Sequence, residues 1–312
     1  MRLTGGFFIL VAFLVLFGAC TRVDGRSIDD RNEVVIGNNI LINENNSPID
    51  TREFLLREDE PLQNLYVHFI DLGDGDATYI DFWKYNVLVD CGGEDDGKRI
   101  VDYLDQQGIV YIDLLVVTHP HDDSVGGCAY VMKNFRVREV WEGGSILSTR
   151  AYTNFLKEKR RVGNFRLVEA GYSRQLGDLL IEVKSAKRPG FGQYEDINDN
   201  SVVLRLSFGK TRILLPGDCQ KECEENIEED ISSDVLKVSF QGSDLGTTNE
   251  FLGRVNSKVA VISVGNNNPH QNPRKEVLSR LLLKNIKFYR TDVDGTIILQ
   301  ANSEGYFVRP KG

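Results

Sequence analysis

The chain has 312 residues, 41% of them hydrophobic and 27% charged, with a formal net charge of −9 and four histidines. Such a balance supports a globular chain with one large domain or two small ones, and excludes collagen-like or low-complexity polypeptides. The acidic excess argues against a sequence-independent nucleic-acid binder, which needs clustered Lys and Arg; the richest basic stretch, KEKRRVGNFR from Lys157 to Arg166, reads as a solvated helix end able at most to steer an anion.

At the start, Arg2 precedes an uninterrupted apolar run from Phe7 to Phe17, then Gly18, Ala19 and Cys20. That run is shorter than the roughly 20 residues that span a bilayer, and it suits the apolar region of a cleaved export signal over residues 1–20. The peptide LFGAC resembles a bacterial lipobox, with Phe17 at the usual Leu position, which implies lipid on Cys20 and a membrane-anchored, exported protein. An ordinary signal peptide with an incidental cysteine is the alternative. Residues 21–63, polar and rich in Asn and Asp, read as a tether with at most one strand, leaving 64–312 as the folded domain.

From Leu65 the alternation in LYVHFIDLGDGDATYIDFW and YNVLVDCGG predicts three strands, followed by an amphipathic helix over Gly97 to Gln107. IDLLVVTH is a short apolar run of the kind buried on both faces of a sheet. It ends in THPHDDSVGG, after which SVGGCAYVMKNF starts a helix, so the histidines lie on a strand-to-helix loop. Further on, LLIEVKSA, NSVVLRLSFG, TRILLPGD, DVLKVSF, KVAVISVG, IKFYRT and GTIILQ read as strands, with helices after Asp218, near Thr247 to Arg254 and near Pro273 to Leu283. Two matching halves of strands and helices predict two sheets faced by helices in one α/β domain. Beyond Cys20, cysteines 91, 128, 219 and 223 are too few and scattered for a disulfide scaffold and read as core thiols; the Cys219 and Cys223 pair, without further cysteines, makes no structural zinc site.

In HPHDD, His119 and His121 alternate along an extended backbone, so both imidazoles can face one ion. Asp123 adds an oxygen ligand or an acceptor that orients water. His68, inside YVHFID, reads instead as a packed core histidine.

Together, FIDLGDGDA, LVDCGG, YIDLLVVTHPHDDSVGG, NDNSVVLRLSFGKTRILLPGD, VLKVSFQGS and FYRTDVDGTI resemble the metallo-β-lactamase superfamily, whose signature is H-x-H-x-D-H, and within it the hydrolase domain of ComEC DNA-uptake proteins. The resemblance implies a four-layer αββα sandwich with the site at one edge of the sheets. It also implies that His119 and His121 hold a first metal, Asp123 a second, and Asp218 bridges both. The chain departs from that pattern at three ligand positions: Ser124 follows Asp123, SFQGS places Gln241 after Phe240, and QNP places Asn272 where the family carries histidine. Asp76, Ser124, Gln241 and Asn272 are then supporting or lost ligand positions, with His270 a shifted substitute. Ser, Gln and Asn are poor zinc ligands, so one ion, zinc or manganese, is expected rather than two. By this reading the ion acidifies a water whose proton Asp123 orients or accepts, giving hydrolysis of a phosphodiester such as nucleic acid. The alternative is a surface-tethered binding module that keeps the fold without catalysis.

Overall fold

Residues 63–186, 196–266 and 268–311 are described by a computed structural model, all within the unit Pro61–Gly312. The expected export signal over residues 1–20, Cys20, and the tether over residues 21–63 apart from Gln63 lie outside the described residues. Among the described residues, no helix is long and apolar enough to cross a membrane.

Period-two alternation builds β1 (Leu65–Phe69), β2 (Thr78–Phe82) and β3 (Tyr85–Val89) into an antiparallel meander. Its apolar faces turn two ways: Leu65, Val67 and Phe69 point to the centre of the domain, while Tyr79 and Leu88 point outward beneath helices. Then come α1 (Asp96–Gln106), the short parallel pair β4 (Tyr111–Ile112) and β6 (Arg136–Val137), and β5 (Leu114–Val117). β5 pairs in parallel with β3 and is covered on both sides, Leu114 and Val116 facing the second sheet and Leu115 and Val117 facing helices. That is what its unbroken apolar run predicts. β7 (Val140–Glu142) and β8 (Phe165–Leu167) extend the sheet in parallel.

The second sheet begins as an antiparallel series, β9 (Ser173–Leu176), β10 (Leu179–Ser185), β11 (Val203–Phe208) and β12 (Thr211–Leu215). It continues in parallel through β13 (Val235–Lys237), β14 (Val259–Ile262) and β15 (Lys287–Arg290). The last strands, β16 (Ile297–Ala301) and β17 (Tyr306–Pro310), return to the first sheet, where β16 pairs with β1. GTIILQ therefore does not belong to the second half, and the halves match less closely than the element order implies.

Helices α2 (Asp122–Val125), α3 (Cys128–Asn134) and α4 (Arg150–Val162) join α1 outside the first sheet, where Ile100, Leu104, Val131 and Phe155 pack on Leu88 and Leu115. Helices α5 (Lys221–Asn226), α6 (Asn249–Val255) and α7 (Lys275–Leu283) cover the second sheet, with Phe251, Leu252, Val277 and Leu281 on Leu214, Leu236 and Ile262. A short helix, α8 (Thr291–Asp294), links β15 to β16. Between the sheets lies a third apolar layer, in which Ile181, Val183, Leu204 and Leu206 meet Val67 and Phe69. The stack is helix, sheet, sheet, helix, the four-layer α/β sandwich that was expected.

Two expectations need correction. The Lys157 to Arg166 stretch is only partly a solvated helix end: Lys159 is buried in an ion pair with Glu142, and Phe165 already belongs to β8. Nor are the cysteines free. Cys91 and Cys128 form one disulfide and Cys219 and Cys223 another, with Cα atoms 5.0 and 5.4 Å apart, inside the range a disulfide spans. Loop packing joins the first pair: Gly127 lies so close to the Cys91 carbonyl that a Cβ there would overlap it, a proximity invisible at a separation of 37 residues. His68 is buried as expected, its Nδ1 2.8 Å from the Tyr103 hydroxyl, and burial holds its pKa down at about 4.

Candidate metal centre

In both sheets the parallel strands end at the same rim, where loops leave the carboxyl ends and present polar groups. Asp90 follows β3, His119 follows β5, Asp218 follows β12, and Lys237 is the last residue of β13. The rim is laced together by main-chain bonds: the Asp76 amide donates to the Asp123 carbonyl at 3.0 Å, the Cys91 amide to Ser124 at 2.7 Å, and the Val202 amide to Thr118 at 2.9 Å. Sequence-distant loops are thus held in fixed register.

Each histidine of the cluster is oriented by a hydrogen bond at Nδ1. The Thr118 hydroxyl donates to Asp90 Oδ2 at 2.7 Å, so toward His119 Nδ1, 3.0 Å away, it can only accept. Asp90, in the left-handed region at φ 61, also takes the Thr118 amide at 2.8 Å. His121 Nδ1 lies 2.8 Å from Asn198 Oδ1, again an acceptor. In a neutral ring this arrangement puts the proton on Nδ1 and leaves Nε2 as a lone pair, the tautomer of a metal-binding imidazole. Burial lowers the His119 pKa to about 4, so the ring is neutral at pH 7.

His119 Nε2 is buried with no hydrogen-bond partner, and Asp218 Oδ2 stands 3.4 Å from it. With Asp218 ionised and His119 neutral, two lone-pair carriers face each other, which is unfavourable unless a cation or a proton lies between them. Their separation fits: two ligands at ~2.0–2.1 Å from a tetrahedral ion are about 3.3–3.4 Å apart. His119 and Asp218 thus fit as two ligands of a divalent ion. Burial, then the nearby Asp76 charge, pushes the Asp218 pKa up to about 7; burial, then Asp218, raises Asp123 to about 6. Both shifts arise chiefly because burial makes the ionised carboxylate costly, with a neighbouring carboxylate adding to it.

Asp123 is engaged elsewhere. Its Oδ2 accepts from Gln241 Nε2 at 3.1 Å, and the same amide donates to the Asp74 carbonyl at 2.8 Å. Gln241 reaches it because Phe240 and Gln241 both adopt left-handed backbone, at φ 47 and 54, a conformation costing about 1–2 kcal/mol per non-glycine residue. Among the described residues, no three of His, Cys, Asp and Glu are drawn together tightly enough to hold an ion as they stand. Ser124 is buried, its main chain bonded to Cys91 and His121. Asn272 donates to the Phe240 carbonyl at 3.4 Å, propping the loop that carries Gln241, and His270 is exposed.

Asp76 belongs to the centre through a residue that sequence reasoning passed over. Its Oδ2 is paired with the Lys237 ammonium, and both side chains are buried. The signal was a lysine at the end of the apolar run DVLKV, where a solvated charge has no place. Asp90, Thr118 and Asn198 were missed as well; the neutral side chains of Thr118 and Asn198 carry no signal apart from their place in the fold.

The chain matches the model of the metallo-beta-lactamase superfamily over residues 70–265. It is 30% identical to ComE operon protein 3 of Bacillus subtilis over 253 residues, covering 74% of this chain and 32% of that protein. It is 28% identical to Recombination protein 2 of Haemophilus influenzae, with 74% and 28% covered, and 26% identical to Competence protein ComA of Neisseria gonorrhoeae, with 73% and 31% covered. The chain thus spans about a third of the length of these relatives. Among solved structures, the metallo-beta-lactamase fold protein YhfI from Bacillus subtilis aligns with TM-score 0.49 and 12% identity over 79% of this chain and 99% of its own. CmlA, a diiron beta-hydroxylase from Streptomyces venezuelae, aligns with TM-score 0.49 and 12% identity over 78% and 55%.

Proposed function

The chain belongs to the metallo-beta-lactamase superfamily, and on that premise we propose that it is an exported, lipid-anchored hydrolase of the ComEC-like group that cleaves phosphodiesters with a single divalent ion. The observation that carries this reading is the bare, buried Nε2 of His119 set 3.4 Å from Asp218 Oδ2. His119, His121 and Asp218 would hold the ion, zinc or manganese, with Asp123 at its border. When bound, such an ion supplies Lewis acidity, polarising a phosphoryl oxygen and acidifying water. Around it Thr118 and Asn198 fix the two rings, and Gln241 holds the Asp123 carboxylate by one oxygen, leaving the other to accept a proton at Oδ1. Asp123 is thus placed to take up that proton. The two disulfides support export, because such bonds persist in oxidising compartments.

The same site favours a second reading at one point. No three ligands converge among the described residues, as in a module that keeps the fold for binding alone. Metal content after dialysis against zinc or manganese, with turnover of bis(p-nitrophenyl) phosphate, separates the two: one ion and metal-dependent turnover support the hydrolase, and an ion-free protein with no turnover leaves the binding module.

A further inference from the structure

Strands β3, β5, β7 and β8 run parallel and carry the rim at their carboxyl ends, so the residues that precede them gather at the opposite end of the sheet. Val87 lies beside Leu114, Leu115 beside Val140, and Val140 beside Phe165. That register brings the turn at Trp83 and Lys84, the loop from Val110 to Asp113, Arg138 and Asn164 to one level. β3 holds this level roughly 15 Å from the rim, at about 3.3 Å per residue. The Tyr111 hydroxyl donates to the Lys84 carbonyl at 3.5 Å, the Arg138 guanidinium lies 3.7 Å from the centre of the Tyr111 ring, and Asn164 Nδ2 donates to the Arg138 carbonyl at 3.1 Å. These contacts make one surface from the β2–β3 turn to the start of β8.

The surface is apolar and basic at once. Trp83 is 52% exposed, Val110 78% and Phe165 47%, and Lys84, Arg136, Arg138 and Arg160 stand exposed around them. From Lys133 to Val168 the chain has nine Lys and Arg, three Glu and no Asp, in a protein of net charge −9, and the three Glu are buried. Among the carboxylates at this end, Asp113 is tied to Arg138 at 2.6 Å and Asp81 is half-buried, while Asp105 and Asp178 are exposed and oppose the excess of cations. Single exposed apolar side chains are ordinary, but three on one continuous surface ringed by cations mark a contact face. A basic track that fed a polynucleotide to the histidines would run to the rim, whereas this one lies at the far end, and Val110 offers no ring for a base to stack on. The described chain enters β1 at Leu65, which pairs with Phe82, the neighbour of Trp83. The segment that carries Cys20 therefore joins the domain at this same end.

We propose that this end of the domain is a docking face for an anionic bilayer: Trp83, Val110 and Phe165 enter the headgroup boundary, the surrounding Lys and Arg meet lipid phosphates, and the rim is turned away from the membrane. Aromatic and aliphatic side chains with a basic surround are the composition of interfacial contact. An anionic leaflet attracts each Lys or Arg near it and repels the acidic remainder of the chain, so charge orients the domain before the apolar groups seat. The face stands on the folded domain alone, independent of any metal and of lipid on Cys20; an anchor entering at this end would hold the same orientation.

The chain has two tryptophans, and Trp141 is fully buried, so the emission of Trp83 reports on this face. The test adds vesicles of phosphatidylcholine and phosphatidylglycerol in equal parts, or of phosphatidylcholine alone, to the full chain carrying Cys20→Ser, so that no acyl group takes part. Expected with the anionic vesicles are a blue shift and quenching by chain-brominated lipid, and neither with phosphatidylcholine alone. Both signals should vanish in Trp83→Phe. Arg136→Glu combined with Arg160→Glu should weaken binding at least ten-fold at low salt, and because both arginines are exposed the far-UV circular dichroism should stay that of the wild type. No shift with anionic vesicles overturns the proposal, as does an affinity unmoved by the charge reversal. An equal shift with phosphatidylcholine alone overturns it as well, assigning the contact to the apolar run from Phe7 to Phe17. A single-stranded oligonucleotide that quenches Trp83 where anionic vesicles do not makes this a nucleic-acid surface and overturns it too. None of these outcomes turns on metal content or on labelling of Cys20, so the hydrolase and anchor readings stand or fall separately.

Discussion

Replacing Asn198 by alanine tests whether the histidine cluster is built to bind metal. Asn198 is buried, and its Oδ1 sits 2.8 Å from His121 Nδ1, the length of a sound hydrogen bond. Alanine removes the acceptor that keeps the His121 proton on Nδ1, so the ring can turn or carry its proton on the atom needed for the ion. Loss of such an outer partner typically weakens metal affinity ten- to a hundred-fold, which is about 1.4–2.8 kcal/mol. A neutral hydrogen bond contributes about 0.5–1.5 kcal/mol to folding, so the metal-free variant should remain folded. Isothermal titration of the dialysed protein with zinc or manganese reads the affinity, and thermal melting without metal reads the fold. Asn198→Asp, which keeps an acceptor, should restore binding to at least the wild-type level. An Asn198→Ala affinity within two-fold of wild type would show that the bond has no part in presenting His121 to an ion.

Three further outcomes are expected. His121→Ala should lose most bound metal by elemental analysis while His68→Ala keeps it, since His68 is packed among Tyr66, Tyr79 and Tyr103; equal losses would refute the assignment. His68 also predicts a pH dependence: with its folded pKa at about 4 against 6.5 unfolded, the unfolded chain takes up the proton first, so its contribution is complete above about pH 6.5 and lost as pH falls toward 4. At about 1.36 kcal/mol per unit this reaches about 3 kcal/mol, and urea titrations across that window should show a shallower decline in His68→Gln; identical slopes would contradict it. Metabolic labelling with a fatty-acid analogue should mark the wild type and not Cys20→Ser, and a labelled mutant would end the lipid-anchor reading.

The reach of the sequence differed by element. β5 and the histidine loop were legible because an apolar strand buried on both faces has a distinctive composition and its end is marked by the cluster itself. β7, β8 and β9, three or four residues long, offered too short a pattern to separate from loop. β17 contains Pro310 and pairs on one side only, at the edge of its sheet, so its alternation was weak and its return to the first sheet could not be read. In the site, the residues named by type, His119, His121, Asp123 and Asp218, lie on the same rim. What escaped was what orders them: Thr118 and Asn198 act by geometry alone, and Lys237 is separated from Asp76 by 161 residues. Such pairings are made by the meeting of the two sheets and leave no local periodicity.

Each disulfide begins one residue after a carboxylate of the rim: Cys91 follows Asp90, and Cys219 follows Asp218. Protein recovered from a reducing cytoplasm and protein matured in an oxidising one are consequently different reagents with one sequence, the former lacking the covalent ties that pin these two acidic loops. A metal content or turnover number acquires meaning only when quoted with the thiol titre of the sample. A batch-to-batch spread in either quantity should follow that titre before it follows anything in the buffer.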